Sequence, residues 1–321
     1  MHPLRIHVVF NANSGTAANL TPASLGERFA AAGFDATIDS NTDRPLQERA
    51  QEAASSQADI VVAAGGDGTV TAVASALRGR DETLAILPLG TANLLARDLA
   101  VPLDIEEAIA TLRDMQPRRI DIGEVNGRVF LHKVVIGFAP AVAAGREHLR
   151  DNPGFGTRLS FLRFFWRRLT HPQDLRVTLQ RDGADNTETL RVRSIAVANN
   201  AYDEELGRFF SRRRLDRGLL TIYALRHLGL LDLLRLVAGM AVGRWRDDEA
   251  LIIHEAHDVR LSTQRRLVQA MIDGEVEKIR PPLDFRVHPQ ALTVLAPVAQ
   301  TGETAEGGAI ASAPFQERAS A

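Results

Sequence analysis

The residues best suited to chemistry lie in the run DIVVAAGGDGTVT at positions 59–71. Gly65, Gly66 and Gly68 surround Asp67, and a helical pattern follows directly. Glycine permits close backbone approach, and a helix N-terminus offers unpaired N–H groups and the positive end of a dipole. The run therefore predicts a phosphate cradle in which Asp67 holds a metal or orders a nucleotide. A tight strand-to-helix turn is the simpler alternative, and neither GxxxxGK[ST] nor GxGxxG is matched.

Two further polar, glycine-containing loops follow predicted strands. NANSG at 11–15 comes directly after the first strand, and LPLGTAN at 87–93 contains the end of another. Ligands of open α/β sheets bind at the carboxyl ends of the strands. Taken alone, the first run is explained by an ordinary loop and Thr91 by a helix N-cap. Three such loops at three strand ends favour a site for nucleotide phosphates.

The elements that must position these loops alternate between strand and helix as far as residue 113. This alternation predicts a parallel sheet covered on both faces. From about residue 119, short apolar runs separated by turn residues predict an antiparallel second domain, with Asn126-Gly127 as a hairpin turn. The tail from residue 301 has little to bury, so disorder is expected there.

Composition limits the class of protein. The chain has 321 residues, with 38 Lys plus Arg against 40 Asp plus Glu, 45% hydrophobic residues and no cysteine. These values exclude a disulfide scaffold and a Cys nucleophile, and the balanced charge argues against a nucleic-acid partner. The N-terminus lacks the pattern of a signal peptide, so a cytoplasmic location is expected. Asp232 and Arg235 interrupt the most apolar stretch, 228–242, so no membrane-spanning helix is predicted.

Together, GGDGT at 65–69, NxxSG at 11–15 and LPLGTAN at 87–93 resemble the catalytic domain of the diacylglycerol kinase and lipid kinase family. That family includes bacterial lipid kinases and sphingosine kinases and is related in fold to NAD kinases. The resemblance runs from about residue 4 to 298. It implies a three-layer, NAD kinase-like α/β domain that binds ATP, followed by a β-sandwich, with the last strand returning to the first domain. The expected boundaries are 1–123 plus 288–300 for the ATP-binding domain, 124–287 for the sandwich that takes the lipid, and 301–321 for the tail.

The resemblance also implies a site for ATP and Mg²⁺, with Asp67 acting at the phosphates directly or through the metal. The implied nucleotide-binding residues are Asn11, Asn13, Ser14, Gly15, Thr42, Gly65, Gly66, Asp67, Gly68, Thr69, Thr91 and Asn93. The whole run from Gly66 to Ala72 is implied to surround ATP.

The second domain contains Asp273-Gly274-Glu275 after a predicted strand, which in the first place indicates a hairpin turn. In the kinases that this chain resembles, such a turn faces the nucleotide across the interdomain cleft. The resemblance implies that Glu275 is the base that accepts the proton of the lipid hydroxyl, while Asp273 orders the turn or the metal-bound phosphates. This chemistry needs mainly positioning and charge neutralisation.

Several positions depart from the family pattern. Thr16 stands where Lys is frequent, Leu94 where Asp is frequent, and Arg217 where the second Asp of an LDDGL motif usually binds a structural metal. The metal ligands are therefore unknown, with Asp216 as the remaining candidate in the motif. We hypothesise that the Arg217 guanidinium replaces the cation and pairs with Asp121 or Asp216.

Membrane contact is suggested by residues 158–168, where Phe161, Phe164, Phe165 and Trp166 are mixed with four arginines. This mixture suits an anionic interface, although a helix packed on the sandwich with solvated arginines explains it equally well. The expected partners are a lipid substrate at the membrane surface and no nucleic acid. Peripheral contact with the inner membrane face and a homodimer are compatible with the resemblance.

Three functional hypotheses follow. The first is an ATP-dependent lipid kinase that phosphorylates a diacylglycerol-like or sphingoid hydroxyl with Glu275 as general base. The second is an NAD kinase-like phosphotransferase, which would share GGDGT. The third is a non-catalytic sensor that binds nucleotide and lipid, suggested by the missing acids of the metal network. The Asp-Gly-Glu turn and NxxSG favour the first hypothesis over the second. Glu275 argues against the third, because a sensor does not need a base.

Overall fold

The computed structural model of the protein describes residues 4–298 apart from 16, 18–19, 139, 141–162, 164–173, 184, 205–210 and 228. Within these residues the chain begins as alternating strands and helices and continues as a mostly antiparallel β-structure. The elements of the first part are β1 (Leu4–Phe10), α1 (Pro22–Ala31), β2 (Phe34–Asp39), α2 (Leu46–Ala54), β3 (Ile60–Gly65), α3 (Asp67–Leu77), β4 (Thr83–Pro88), α4 (Leu94–Asp98) and α5 (Ile105–Thr111).

The first part is the predicted α/β domain. Its strands lie side by side in the order β2-β1-β3-β4, all parallel. Every residue of β3 is buried, as expected for a strand covered by helices on both faces. In α3, Val70, Val73, Ala74 and Leu77 recur at helical spacing and are all buried, so this face packs on the core.

The second part is the predicted β-sandwich. The elements are β5 (Gln116–Val125), β6 (Arg128–Phe130), β7 (Lys133–Gly137), β8 (Leu175–Arg181), β9 (Thr187–Val192), β10 (Ser194–Asn199), β11 (Leu220–Leu225), α6 (Leu230–Ala241), β12 (Leu251–Ala256), β13 (Asp258–Thr263), β14 (Val268–Ile272), β15 (Glu275–Ile279) and β16 (Leu283–Ala296). A six-stranded sheet has the order β12-β11-β10-β7-β14-β15, and every described pairing in it is antiparallel. Its inner face shares one core with strands of the other sheet, for example Ile136 and Ile222 with Leu179 and Phe285.

Strand β16 joins the two parts. It pairs with β13 and β5 of the sandwich region and then runs parallel to β4, so the last strand returns to the first domain as predicted. One ten-stranded sheet therefore continues from the α/β domain into the sandwich. The pairing with β5 shifts register between His288 and Leu292, where Pro289 has no N–H to donate and Gln290 adopts a positive φ of 49°.

The turn at Asn126-Gly127 agrees with the sequence prediction. Asn126 and Gly127 both have positive φ angles, and they connect β5 to β6 as a two-residue hairpin. One boundary differs, because α3 begins at Asp67 rather than after the glycine-rich run. GGDGT thus contains the last residue of β3, the turn residue Gly66 and the first three residues of α3.

Two sequence predictions concern residues that the structure does not describe. The basic and aromatic run at 158–168, apart from residue 163, and the tail at 301–321 lie outside the described residues. Among the described residues, no helix is both long and apolar enough to cross a membrane.

Candidate active site

A cleft of about 720 Å³ lies between the α/β domain and the sandwich. The loop after β1, one face of α3 and the start of α2 form one wall. The hairpin between β5 and β6 and the hairpin between β14 and β15 form the other. The polar and glycine residues that line it are Asn11, Ser14, Gln47, Gly66, Gly68, Thr69, Thr71, Ser75, Asn126, Gly127, Arg128, Asp273 and Glu275.

The α/β wall is fastened around the start of α3. Gly66 precedes the helix, and its N–H donates to Ser14 Oγ at 3.2 Å. Asn11 Nδ2 donates to Thr69 Oγ1 at 3.2 Å. The side chains of the first loop therefore hold the first turn of α3 in place, with the N-terminal end of the helix at the cleft.

The third loop meets the second by backbone contact. A methyl group added at Gly90 would lie 2.5 Å from the Cα of Gly66, a distance that real side chains do not reach. A methyl group added at Gly15 would lie 3.1 Å from Thr91 Oγ1. All three polar loops therefore come together at the carboxyl ends of β1, β3 and β4.

Asp67 is engaged by the third loop. Its Oδ2 accepts from the Asn93 N–H at 3.0 Å, and its Oδ1 accepts from the Leu94 N–H at 2.6 Å. Burial raises the pKa of Asp67, while these two backbone hydrogen bonds act in the opposite direction. The carboxylate thus fixes the start of α4 against the start of α3, and any role at the phosphates stays a prediction.

Asp273 has a similar task in the sandwich wall. It occupies a two-residue hairpin turn with φ of 45°, followed by Gly274 at 102°. Its carboxylate accepts the N–H groups of Leu131 at 2.7 Å and of His132 and Lys133 at 2.9 Å each. Burial raises its pKa and the three hydrogen bonds oppose that shift. Asp273 therefore ties the turn to the segment that leads into β7.

Glu275 extends from this turn toward the opposite wall. A methyl group added at Gly68 would lie 3.0 Å from Glu275 Oε1, so the carboxylate lies over the first turn of α3. The side chain is 68% exposed and pairs with Arg128, whose Nη2 is 3.4 Å from Oε2. Arg128 also pairs with Glu277. The exposed Glu275 carboxylate and the Arg128 guanidinium paired with it thus face a helix N-terminus across the cleft.

The structure separates the predicted site residues into two groups. Seven of them line the cleft: Asn11, Ser14, Gly66, Gly68, Thr69, Asp273 and Glu275. The others lie outside its lining, and they are Asn13, Gly15, Thr42, Gly65, Asp67, Thr91 and Asn93. Most of the latter support the loops, but Thr42 is exposed in the turn before α2.

Sequence reasoning missed several lining residues. Ser75 follows Gly68 at an interval of seven, so a helix that starts at Asp67 predicts it on the same face. Thr71 and Ala72 also line the cleft, and they belong to the run Gly66 to Ala72 that the resemblance implies around ATP. Gln47 and Arg128 had no comparable signal, because they reach the cleft only through the packing of α2 and of the β5–β6 hairpin.

The hypothesis for Arg217 is wrong. Arg217 pairs with Glu255, with Nη1 3.1 Å from Oε1, and not with Asp121 or Asp216. The oxygens of Asp121 accept from the backbone N–H groups of Gly218 at 2.6 Å and Gln290 at 2.8 Å. Asp216 pairs with Arg214 instead, with Oδ1 3.7 Å from the Arg214 Nε.

Family models match both halves of the chain. The diacylglycerol kinase catalytic domain matches residues 5–125. The YegS C-terminal NAD kinase beta sandwich-like domain matches residues 133–296, just over half of the chain.

Similar proteins carry corresponding names. A protein named diacylglycerol kinase from Bacillus subtilis is 28% identical over 289 residues, which is 86% of this chain and 91% of that relative. A probable lipid kinase YegS-like from Pseudomonas aeruginosa is 51% identical over 96 residues, and this match spans only 32% of that relative's length.

A solved structure shares the fold. The crystal structure of a putative diacylglycerol kinase from Bacillus anthracis has a TM-score of 0.68 at 22% identity, and the match covers 92% of this chain and 97% of that one. An α/β domain followed by a sandwich is thus the fold of that structure as well. The chain belongs to the diacylglycerol kinase and YegS-like lipid kinase family.

Proposed function

We propose that this protein is an ATP-dependent kinase that transfers the γ-phosphoryl group of Mg-ATP to the hydroxyl of a lipid. The observation that carries the proposal is the position of Glu275, whose carboxylate lies over the first turn of α3 at Gly68. A helix N-terminus attracts phosphate, and a carboxylate beside it can orient and deprotonate an attacking hydroxyl.

In this proposal the α/β wall binds the nucleotide. The backbone N–H groups at the start of α3 and the side chains of Asn11 and Ser14 offer donors to phosphate oxygens, while the Gly66 N–H holds Ser14 in place. Arg128 supplies positive charge from the opposite wall. Its guanidinium is half exposed, so it is able to exchange its carboxylate partners for phosphate oxygens when ATP binds.

The described residues do not fit a resident metal site. They contain no group of three or more acidic or histidine side chains arranged to hold an ion. Both oxygens of Asp67 and of Asp273 accept backbone N–H groups. We therefore treat Mg²⁺ as part of the Mg-ATP substrate, where it neutralises phosphate charge, and assign it no protein ligand.

The transfer itself uses one protein group. The lipid hydroxyl oxygen forms a bond to the γ-phosphorus while the bond from that phosphorus to the β–γ bridging oxygen breaks. Glu275 accepts the hydroxyl proton, and ADP leaves with the bridging oxygen. Positioning and charge neutralisation supply most of the catalysis in such reactions, and the base contributes typically about 10²–10⁴-fold.

The proposed acceptor is a diacylglycerol-like lipid at the membrane surface, with a sphingoid base as the next candidate. Full-length similarity to a protein named diacylglycerol kinase supports this choice. Helix α6 supports peripheral membrane contact, since Leu231, Leu234 and Val237 are 81%, 58% and 52% exposed along one side. We propose that the protein acts at the inner face of the membrane from the cytoplasm.

The test is transfer of label from γ-³²P-ATP to diacylglycerol, sphingosine or phosphatidylglycerol in mixed micelles. A parallel reaction contains NAD, and Glu275→Gln serves as the control. Labelled diacylglycerol that disappears with the variant is the expected result. Label in NAD alone would mean that the protein is an NAD kinase-like phosphotransferase. ATP binding without any labelled product would favour a non-catalytic sensor.

A further inference from the structure

A buried ion pair joins the two domains away from the cleft. Arg212 is the largest fully buried side chain among the described residues, and its Nη2 lies 2.6 Å from Asp98 Oδ2. The exposed fractions of the two side chains are 0% and 4%. Asp98 is the last residue of α4 in the α/β domain, whereas Arg212 belongs to the sandwich half of the chain. None of the roles proposed above uses this pair.

Arg212 also contacts the segment that holds the Asp273-Gly274 turn, from which Glu275 extends. Its Nη1 donates to the carbonyl of Leu131 at 2.8 Å and to that of Asn199 at 2.7 Å. The N–H groups of Leu131 and of the next two residues donate to Asp273. One guanidinium thus connects Asp98 to the backbone that fixes the hairpin of Glu275.

The other end of α4 leads back to the cleft. Asp67 accepts the N–H groups of Asn93 and Leu94 at the start of α4, and Asp67 is itself the first residue of α3. Gly68, the next residue, lies under the Glu275 carboxylate. The contacts therefore form a closed ring, which crosses between the domains at Asp98 and Arg212 and again at the catalytic cleft.

From this ring we propose that Asp98 and Arg212 are a positioning pair that sets the distance between Glu275 and the start of α3. The inference rests on the proposed kinase function. A displacement of about 1 Å in a catalytic group can cost about 10²-fold in rate, so a brace between its two supports has a catalytic consequence. Arginine suits this task because its planar fork bonds a carboxylate and two carbonyl groups at once.

The experiment replaces the pair without leaving a lone buried charge. Removal of one partner destabilises strongly, whereas apolar residues of similar volume are often neutral, so the main variant is Asp98→Leu with Arg212→Met. Arg212→Lys is the second variant, because it keeps the charge but cannot make all the bonds of the fork. The matched control is Asp258→Asn with Arg286→Gln, an ion pair of 2.9 Å on the sandwich surface.

Kinetics are measured with diacylglycerol in micelles, well below each variant's unfolding midpoint and per mole of ATP-binding sites. We expect kcat to fall at least tenfold in the double variant and between threefold and tenfold in Arg212→Lys. The KM for ATP should stay within threefold, because the loops that bind phosphate are intact. A kcat within threefold of the wild type, in whichever of the two variants folds, overturns the positioning role.

Hydrogen exchange provides a readout that does not depend on activity. Exchange in peptides covering residues 129–135 and 271–277 should accelerate at least threefold in the pair variants and remain unchanged in the surface control. Unchanged exchange in the pair variants also overturns the inference. If the wild type labels no lipid while exchange responds, the kinase proposal fails and the mechanical link between the pair and the turn stands.

Discussion

Glu275 and Gly68 face each other across the interdomain cleft, and a single added methyl group at Gly68 would come within 3.0 Å of the Glu275 carboxylate. The glutamate follows a hairpin turn of the sandwich, and the glycine is in the first turn of α3. Each of the first two predictions tests one side of this contact.

Replacement of Glu275 by Gln should lower kcat by about 10²-fold or more, because the amide cannot accept the hydroxyl proton. The KM for ATP should change little, since the phosphate loops belong to the other domain. Phosphoryl transfer to diacylglycerol measures both values. Glu277→Gln is the control, since Glu277 also pairs with Arg128. Equal losses in the two variants would mean that only the arginine contacts matter.

Gly68→Ala should reduce activity without reducing stability. Alanine favours a helix over glycine by about 1 kcal/mol, so the free energy of unfolding should stay equal or rise. The new methyl group should displace the Glu275 carboxylate and lower kcat by about threefold to tenfold. Gly26→Ala in α1 is the control, because its methyl group makes only an ordinary contact of 3.6 Å with Ile38. Urea unfolding and kcat together separate the two effects, and full activity in Gly68→Ala would contradict the close contact.

Arg128→Gln should raise the KM for ATP by about tenfold, because charge-assisted hydrogen bonds contribute about 1.5–3 kcal/mol. The effect should diminish at high salt, where phosphate attraction is screened. Arg260→Gln on β13 is the control, since Arg260 is an exposed partner of Asp284 outside the active cleft. An unchanged KM at low salt would assign Arg128 only to its two glutamate partners.

Lys133 should make stability depend on alkaline pH. Burial lowers the pKa of Lys133 from its ordinary value of 10.5 to about 8. Between these values the unfolded chain binds more protons than the folded one, so the free energy of unfolding rises with pH, by at most about 1.4 kcal/mol per unit. Tyr202, whose buried hydroxyl has a pKa well above 10, acts oppositely at higher pH. Urea unfolding from pH 7.5 to 9.5 should show a smaller rise for Lys133→Met than for the wild type. Identical slopes would contradict the lowered pKa.

The exposed side of α6 should contribute to membrane contact. Leu231→Ser with Leu234→Ser should weaken binding to phosphatidylglycerol-containing vesicles by about tenfold or more, because burying one leucine contributes about 1.5–3 kcal/mol. Activity toward a water-soluble short-chain diacylglycerol should remain. Leu103→Ser is the matched control, since Leu103 is 40% exposed in the α/β domain. If vesicle sedimentation showed the same small effect for the double variant and for Leu103→Ser, α6 would not be the contact surface.

The sequence by itself determined the features that depend on local backbone preference. Glycines and polar residues at strand ends predicted three loops that meet at one edge of a parallel sheet, and the structure joins them through Gly66 and Gly90. Asn126-Gly127 and Asp273-Gly274 form the expected hairpin turns, because each dipeptide tolerates positive φ angles. The motif combination also identified the family that both family models support.

Only the tertiary structure decided which charges are buried and what they contact. Asp67 stands among glycines as a phosphate or metal residue would, yet its oxygens accept backbone groups 26 and 27 residues further along the chain. Arg212 is the first of three consecutive arginines, and it is buried against Asp98, 114 residues away. Turn and helix preferences act over a few residues, whereas charge burial depends on how distant segments pack, and the spacing of residues along a chain does not specify that packing.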